Sequence, residues 1–82
     1  MKKRILIVDD EEIVVRSCLR ILSEEEFDID VASNGLEALS RVNEKDYDMM
    51  ILDIMMPKMN GIEVLQRVKE THPDIDVIMI TG

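Results

Sequence analysis

Ile5-Leu6-Ile7-Val8-Asp9-Asp10-Glu11-Glu12 is the stretch from which the rest of the chain can be read. Its four apolar residues carry neither a helical stripe nor an in/out alternation, and three are β-branched. Such a run predicts a strand covered on both faces. The run stops on four acids, and the period then changes. Val14, Val15, Cys18, Leu19 and Leu22 recur at three- and four-residue spacing, which predicts an amphipathic helix with acids at its start to complement the dipole.

The same alternation of period continues along the chain. Phe27, Ile29 and Val31 alternate with Asp28 and Asp30, the pattern of a half-exposed strand at a sheet edge. Asn34-Gly35 suggests a turn or cap, and Leu36, Ala38, Leu39 and Val42 supply the face of a second helix. Met49 to Leu52 is a second all-apolar run, and it too ends on an acid, Asp53. Pro57 and Asn60-Gly61 punctuate a loop. Ile62, Val64, Leu65 and Val68 mark a third helix, closed by His72-Pro73. Ile75 to Ile80 predicts a fourth strand before Thr81-Gly82. Strands alternating with helices predict right-handed βαβ units, hence an α/β fold with a doubly wound parallel sheet. No internal repeat, low-complexity tract or linker is expected, so residues 1–82 read as a single domain.

With 82 residues that domain is small, and it buries only about 60–65% of the surface its unfolded form exposes. A formal net charge of −8 argues against direct nucleic-acid binding by this segment, which would need clustered Lys and Arg. It suits a basic partner or a divalent cation instead. Cys18 is the single cysteine, so no intramolecular disulfide forms, in keeping with a cytoplasmic setting. Met1-Lys2-Lys3-Arg4 resembles the basic start of a signal peptide, but the apolar run after it ends at Val8. No stretch reaches membrane-spanning length, so no membrane association is expected. His72, beside Pro73, reads as an ordinary surface residue. Met49, Met50, Met55, Met56, Met59 and Met79 read as core filling rather than a soft-metal surface.

Chemistry is expected where strands end. In an open parallel sheet, ligands bind beyond the carboxyl ends of the strands. Asp9 and Asp10 follow the first strand and Asp53 closes the third. The two doubly covered runs must be central, so their acids would converge. Plainer readings stay open, with Asp10 as a helix cap and Asp53 as a turn residue. Neither explains three carboxylates in one crevice, where like charges destabilise the fold unless a cation is present. Hard oxygen ligands with room for water suit Mg²⁺. The first loop has acids where GxGxxG or GxxxxGK[ST] would place glycine and backbone amides, which excludes the usual nucleotide cradles.

From Lys3 through Gly82 these residues resemble a known family, the receiver domains of bacterial two-component response regulators. The signals are Asp9-Asp10, Asp53 at the end of the third strand, Met56-Pro57 and Gly61 in the loop after it, and Thr81 after the fourth strand. The resemblance implies a flavodoxin-like sheet with strand order 2-1-3-4. It implies that Asp53 takes a phosphoryl group from a phosphohistidine on a sensor histidine kinase. It also implies that Asp10 ligates Mg²⁺ directly, that Asp9 acts largely through metal-bound water, and that Met55 contributes its backbone carbonyl. Thr81 would be the switch hydroxyl. The chain would then be a phosphoacceptor signalling module serving a fused or separate output domain, not an enzyme acting on an external substrate.

The family's fifth strand with its Lys, and its fourth and fifth helices, have no counterpart here, so the fold reads as incomplete. Lys58 and Lys69 do not stand in for that Lys. One alternative is a truncated, chemically inactive fragment that self-associates, at least as a dimer, through an open edge at Ile75 to Ile80. Another, a phosphatase of the haloacid-dehalogenase kind, requires a second Asp where this chain has Met55.

Overall fold

The computed structural model describes residues 3–22, 26–56 and 59–80. Its elements run β1 (Lys3–Val8), α1 (Glu12–Leu22), β2 (Phe27–Ala32), α2 (Gly35–Glu44), β3 (Met49–Asp53), α3 (Gly61–Thr71) and β4 (Asp76–Ile80). The strands form one parallel sheet in the order β2-β1-β3-β4, the order that the family resemblance implies. The chain steps from β1 to β2 in one direction, then from β2 past β1 to β3 and on to β4 in the other. Right-handed crossovers therefore place α1 on one face and the α2–α3 pair on the opposite face.

Strand alternation divides the apolar side chains between those faces. Leu6, Val8, Met50 and Leu52 are buried with Ala38, Val42, Val64 and Val68 in the main core. Ile5 and Ile7 point the other way and are also buried. The α1 layer is thinner, since α1 has no fully buried residue, and Ile13 and Ile21 on it are 79% and 69% exposed. Cys18 is half-buried, and its thiol is pushed up in pKa by that partial burial and then by the Asp9 charge. No helix among the described residues is long and apolar enough to cross a membrane.

Four expectations need correction. Leu36 and Ile62 lie outside the buried faces, at 57% and 53% exposure. The buried stripes are instead Gly35, Ala38, Val42 and Gly61, Val64, Val68. At each helix start the neighbour comes so close that the inward slot holds a glycine, and the next residue turns outward. A Cβ on Gly35 would lie 2.6 Å from Val64 Cγ2. Ile75 precedes β4, buried in the core, and its N–H donates to the His72 carbonyl at 3.2 Å. Met55 is 72% exposed, unlike buried Met50 and Met56.

The fourth correction concerns repeats, since one short repeat exists. Residues 34–42 read NGLEALSRV and residues 60–68 read NGIEVLQRV. Both copies begin a helix in the same way. The Asn34 side chain accepts from the Glu37 N–H at 2.9 Å, and that of Asn60 from the Glu63 N–H at 3.0 Å. Each cap satisfies a helix-start donor that would otherwise lack a partner. The acids then pair one turn on, Glu37 with Arg41 at 3.5 Å and Glu63 with Arg67 at 3.3 Å. These exposed pairs contribute little.

Edge strand β2 is tied down by a polar contact. The Tyr47 hydroxyl donates to Asp30 Oδ2 at 2.6 Å, and Lys45 Nζ reaches the same oxygen at 3.2 Å. The Tyr47 hydrogen bond, followed by Lys45, holds the Asp30 carboxyl below its ordinary value of 3.8. Burial, then the bond to Asp30, pushes Tyr47 from 10.0 up to about 12. Asp30 has the lower pKa in the folded state, so its contribution is present above pH 3.8 and is lost as pH falls through the folded value. Tyr47 has the higher folded pKa, so its contribution is complete below pH 10 and is lost by about 12. Tyr47→Phe should cost about 1.5 kcal/mol at neutral pH. Urea melts of both proteins across pH should show that difference shrinking below pH 4.

Candidate functional site

Register brings the acids together. Val8 pairs with Leu52, so the residues that follow, Asp9 and Asp53, leave adjacent strands side by side. Ligand oxygens of Asp9, Asp10 and Asp53 all lie within 4.8 Å of one another. Asp9 is 3% exposed and Asp53 1%, while Asp10 faces solvent. The site is therefore two buried carboxylates with a third at the mouth.

Both buried side chains are fixed by their own backbone. Asp9 Oδ1 accepts from the Glu11 N–H at 2.9 Å, and Asp53 Oδ1 accepts from the Met55 N–H at 3.1 Å. In each case the donor lies two residues on, a local turn that holds the carboxylate in one orientation. Asp9 also continues the ladder, its N–H donating to the Ala32 carbonyl at 3.1 Å. Burial raises the Asp9 pKa, the Glu11 N–H opposes that, and the charges of Asp53, Asp10 and Glu11 raise it further. Crowded carboxylates that are buried and mutually repelling are the donor set of a hard divalent cation, so these residues fit Mg²⁺.

The loop after Asp53 is held by a close approach. The Gly61 N–H donates to the Ile54 carbonyl at 2.9 Å, and the Ile54 N–H donates to the Ile80 carbonyl at 3.0 Å. A Cβ on Gly61 would collide with the Asp53 carbonyl oxygen and lie 2.7 Å from Ile54 Cα. Glycine here lets the start of α3 close directly against the residue that carries the central carboxylate.

Of the residues singled out from sequence, the structure gathers Asp9, Asp10 and Asp53, with Met55 bonded to Asp53 through its N–H. Asp9 rather than Asp10 takes the local turn bond. Thr81, Pro57 and Lys58 lie outside the described residues. Lys69 bonds the Ile75 carbonyl at 2.5 Å, before β4 begins, at the end of the sheet away from the acids. Sequence reading missed the packing role of Gly61. Asn60-Gly61 was legible only as loop punctuation, and its match to Asn34-Gly35 was the available signal for a helix start.

Known proteins are similar to this chain in sequence and in fold. A family model for the response regulator receiver domain matches residues 5–82. Chemotaxis protein CheY of Halobacterium salinarum is 44% identical over 83 residues, covering all of this chain and 68% of that protein. The transcriptional regulatory protein CpxR homolog of Haemophilus influenzae is 41% identical over 79 residues, covering 96% of this chain but 34% of its own length. The chain thus spans about a third of such regulators. Among solved structures, a CheY-like receiver domain protein from Methanospirillum hungatei superposes with a TM-score of 0.95 at 33% identity, covering 100% of this chain and 66% of its own. Response regulator TrrA from Thermotoga maritima, in complex with Mg(2+)-BeF, gives 0.91 at 42% identity, covering 96% and 69%.

Two substitutions separate packing from charge at this site. Gly61→Ala should destabilise the fold by about 2–3 kcal/mol, because the obstructing atoms are backbone and cannot rotate away. Asp53→Asn keeps an oxygen for the Met55 N–H and removes one of three like charges. It should stabilise the metal-free protein by about 1 kcal/mol in chemical denaturation.

Proposed function

Because this chain belongs to the response regulator receiver domain family, we propose that it is a phosphoacceptor signalling module whose acceptor is Asp53. The observation that carries this reading is the meeting of three carboxylates at the ends of β1 and β3, two of them buried. Bringing three like charges together costs stability, and the two local turn bonds of Asp9 and Asp53 do not require it. It is of use to a site that must hold a cation and receive an anion.

The residues divide the work. Asp53 is the nucleophile. Its carboxylate forms the new P–O bond while the P–N bond to a phosphohistidine of a sensor histidine kinase breaks, and the imidazole leaves with the electron pair. The Met55 N–H on Oδ1 keeps the carboxylate from turning. Asp9 and Asp10, with Asp53 and the backbone carbonyl of Met55, would hold Mg²⁺. When bound, Mg²⁺ supplies the positive charge that offsets repulsion between the carboxylates and the incoming phosphoryl oxygens. Support for the metal comes from this donor set and from the Mg(2+)-BeF complex of TrrA. Thr81 is the proposed switch hydroxyl.

In this reading the chain does not turn over an external substrate. It acts in the cytoplasm and passes its state to an output domain on the same or another polypeptide. Longer relatives such as the CpxR homolog favour that arrangement. The dehalogenase-like alternative is disfavoured by Met55, which stands where a second acid is needed.

Incubation with acetyl phosphate and Mg²⁺ should add the mass of one phosphoryl group, and Asp53→Asn should abolish that addition. Modification of the Asp53→Asn variant, or no modification of the wild type, would refute the assignment. Free Mg²⁺ at about 100 times its Kd should raise folding stability by about 2.7 kcal/mol over the value in EDTA. An unchanged melting midpoint at millimolar Mg²⁺ would rule out the metal site.

A further inference from the structure

We propose that Gly61 is a positioning residue for the acceptor, orienting the Asp53 carboxylate through the Ile54–Met55 peptide group that lies between them. The proposal rests on the reading of Asp53 as phosphoryl acceptor, and one arm of its test needs no phosphorylation.

The peptide group joining Ile54 to Met55 is held at both ends. Its oxygen accepts from the Gly61 N–H at 2.9 Å, and its N–H donates to Asp53 Oδ1 at 3.1 Å. A trans peptide is planar, with its C=O and N–H pointing in opposite directions. Its soft motion is rotation of the whole plane about the line joining the two Cα atoms. Anchoring the oxygen to the start of α3 stops that rotation and so aims the N–H at the carboxylate. The preceding peptide group, Asp53 to Ile54, is tied separately, because the Ile54 N–H donates to the Ile80 carbonyl at 3.0 Å. The end of β4 thus fixes the first plane after the acceptor, and α3 fixes the second.

The carboxylate depends on that second plane. Asp53 is 1% exposed, so water is poorly placed to supply a substitute donor. The terminal torsion of an aspartate is broad when nothing holds it, and the Met55 bond selects one orientation. Gly61 also strengthens this bond from the far end. A C=O that accepts a hydrogen bond polarises its own N–H, and chained bonds reinforce one another by about 10–30% each. Orientation matters here because reacting atoms must start about 3–3.5 Å apart and aligned, and a misplacement of about 1 Å can cost ~100-fold in rate.

Glycine is what allows the approach. A Cβ at position 61 would collide with the Asp53 carbonyl oxygen, and would stand 2.7 Å from Ile54 Cα and 3.0 Å from the Asp53 carbonyl carbon. Ordinary carbon contacts lie at about 3.5–4.0 Å, so α3 would have to retreat by about 1 Å. That retreat takes the 2.9 Å bond to Ile54 past the upper limit of about 3.2 Å for N–H···O. Loss of stability and loss of orientation in Gly61→Ala therefore share one cause but have separate readouts.

Replacing Gly61 by glycolic acid in the chemically synthesised 82-residue chain exchanges its N–H for an ester oxygen and adds no Cβ. In the metal-free, unphosphorylated protein, the Met55 amide proton should then resonate upfield of wild type and exchange with solvent about fivefold faster. With acetyl phosphate and saturating Mg²⁺, the ester chain and Gly61→Ala should both be phosphorylated more slowly, by roughly tenfold or more. Tyr47→Phe, destabilised before β3 begins, should keep the wild-type Met55 resonance and the wild-type rate. An ester chain with wild-type Met55 signals, or with a rate within about twofold of wild type, would overturn the proposal. So would slowing by Gly61→Ala alone, which would assign the effect to the added Cβ, or equal slowing by Tyr47→Phe, which would assign it to stability. A wild type that takes no phosphoryl group would instead defeat the acceptor reading, and the Met55 amide would still decide whether Gly61 orients the carboxylate.

Discussion

Pairing of β1 with β3 sets two opposed demands on the same few residues. The register that stacks Leu6 and Val8 beside Met50 and Leu52 also carries Asp9 and Asp53 into one crevice. Burying the apolar pairs is favourable at about 25 cal/mol per Å² of surface removed from water, and the strands cannot have that burial without the juxtaposed charges. A one-residue slip would part the acids, but it would also turn each apolar side chain to the wrong face. The core therefore holds the site in an arrangement the site itself opposes.

The remaining structure stiffens that arrangement. Turn bonds from Glu11 and Met55 fix the two buried carboxylates, and Gly61 closes α3 against the backbone of Asp53. On the far side of β1, the Tyr47–Asp30 contact anchors the edge strand on which Asp9 continues the ladder through the Ala32 carbonyl. The α2–α3 side is dense and the α1 side thin. The rigid wall of the site and its more accessible wall thus come from different layers of the sheet.

The fold was legible because each element had its own period. Unbroken runs at Ile5–Val8 and Met49–Leu52 located the central strands, and the alternation from Phe27 to Val31 located an edge. Asp9, Asp10 and Asp53 were legible as a set because strand ends converge in a parallel sheet. Periodicity could not reveal which apolar residue yields its place to a glycine, so Leu36 and Ile62 were assigned to faces they do not occupy. Nor could it reveal a glycine whose importance is the absence of a side chain. Local hydrogen bonds such as Asp9 to Glu11 depend on dihedral angles that one sequence does not display.

The repeated segment at 34–42 and 60–68 has a consequence for how the chain can drift over generations. Both copies use the same cap and the same glycine, but the glycines meet different neighbours. Around Gly35 the close atoms belong to the side chains of Val64 and Met59, which can be exchanged for smaller ones. Around Gly61 they are the backbone of Asp53 and Ile54, which no substitution can trim. Relatives should accordingly tolerate alanine or serine in the first copy, with compensating change at the equivalents of Met59 or Val64, and keep glycine in the second. Two nearly identical words in the sequence are thus under unequal selection, and only the one beside the Asp53 carboxylate is without synonyms.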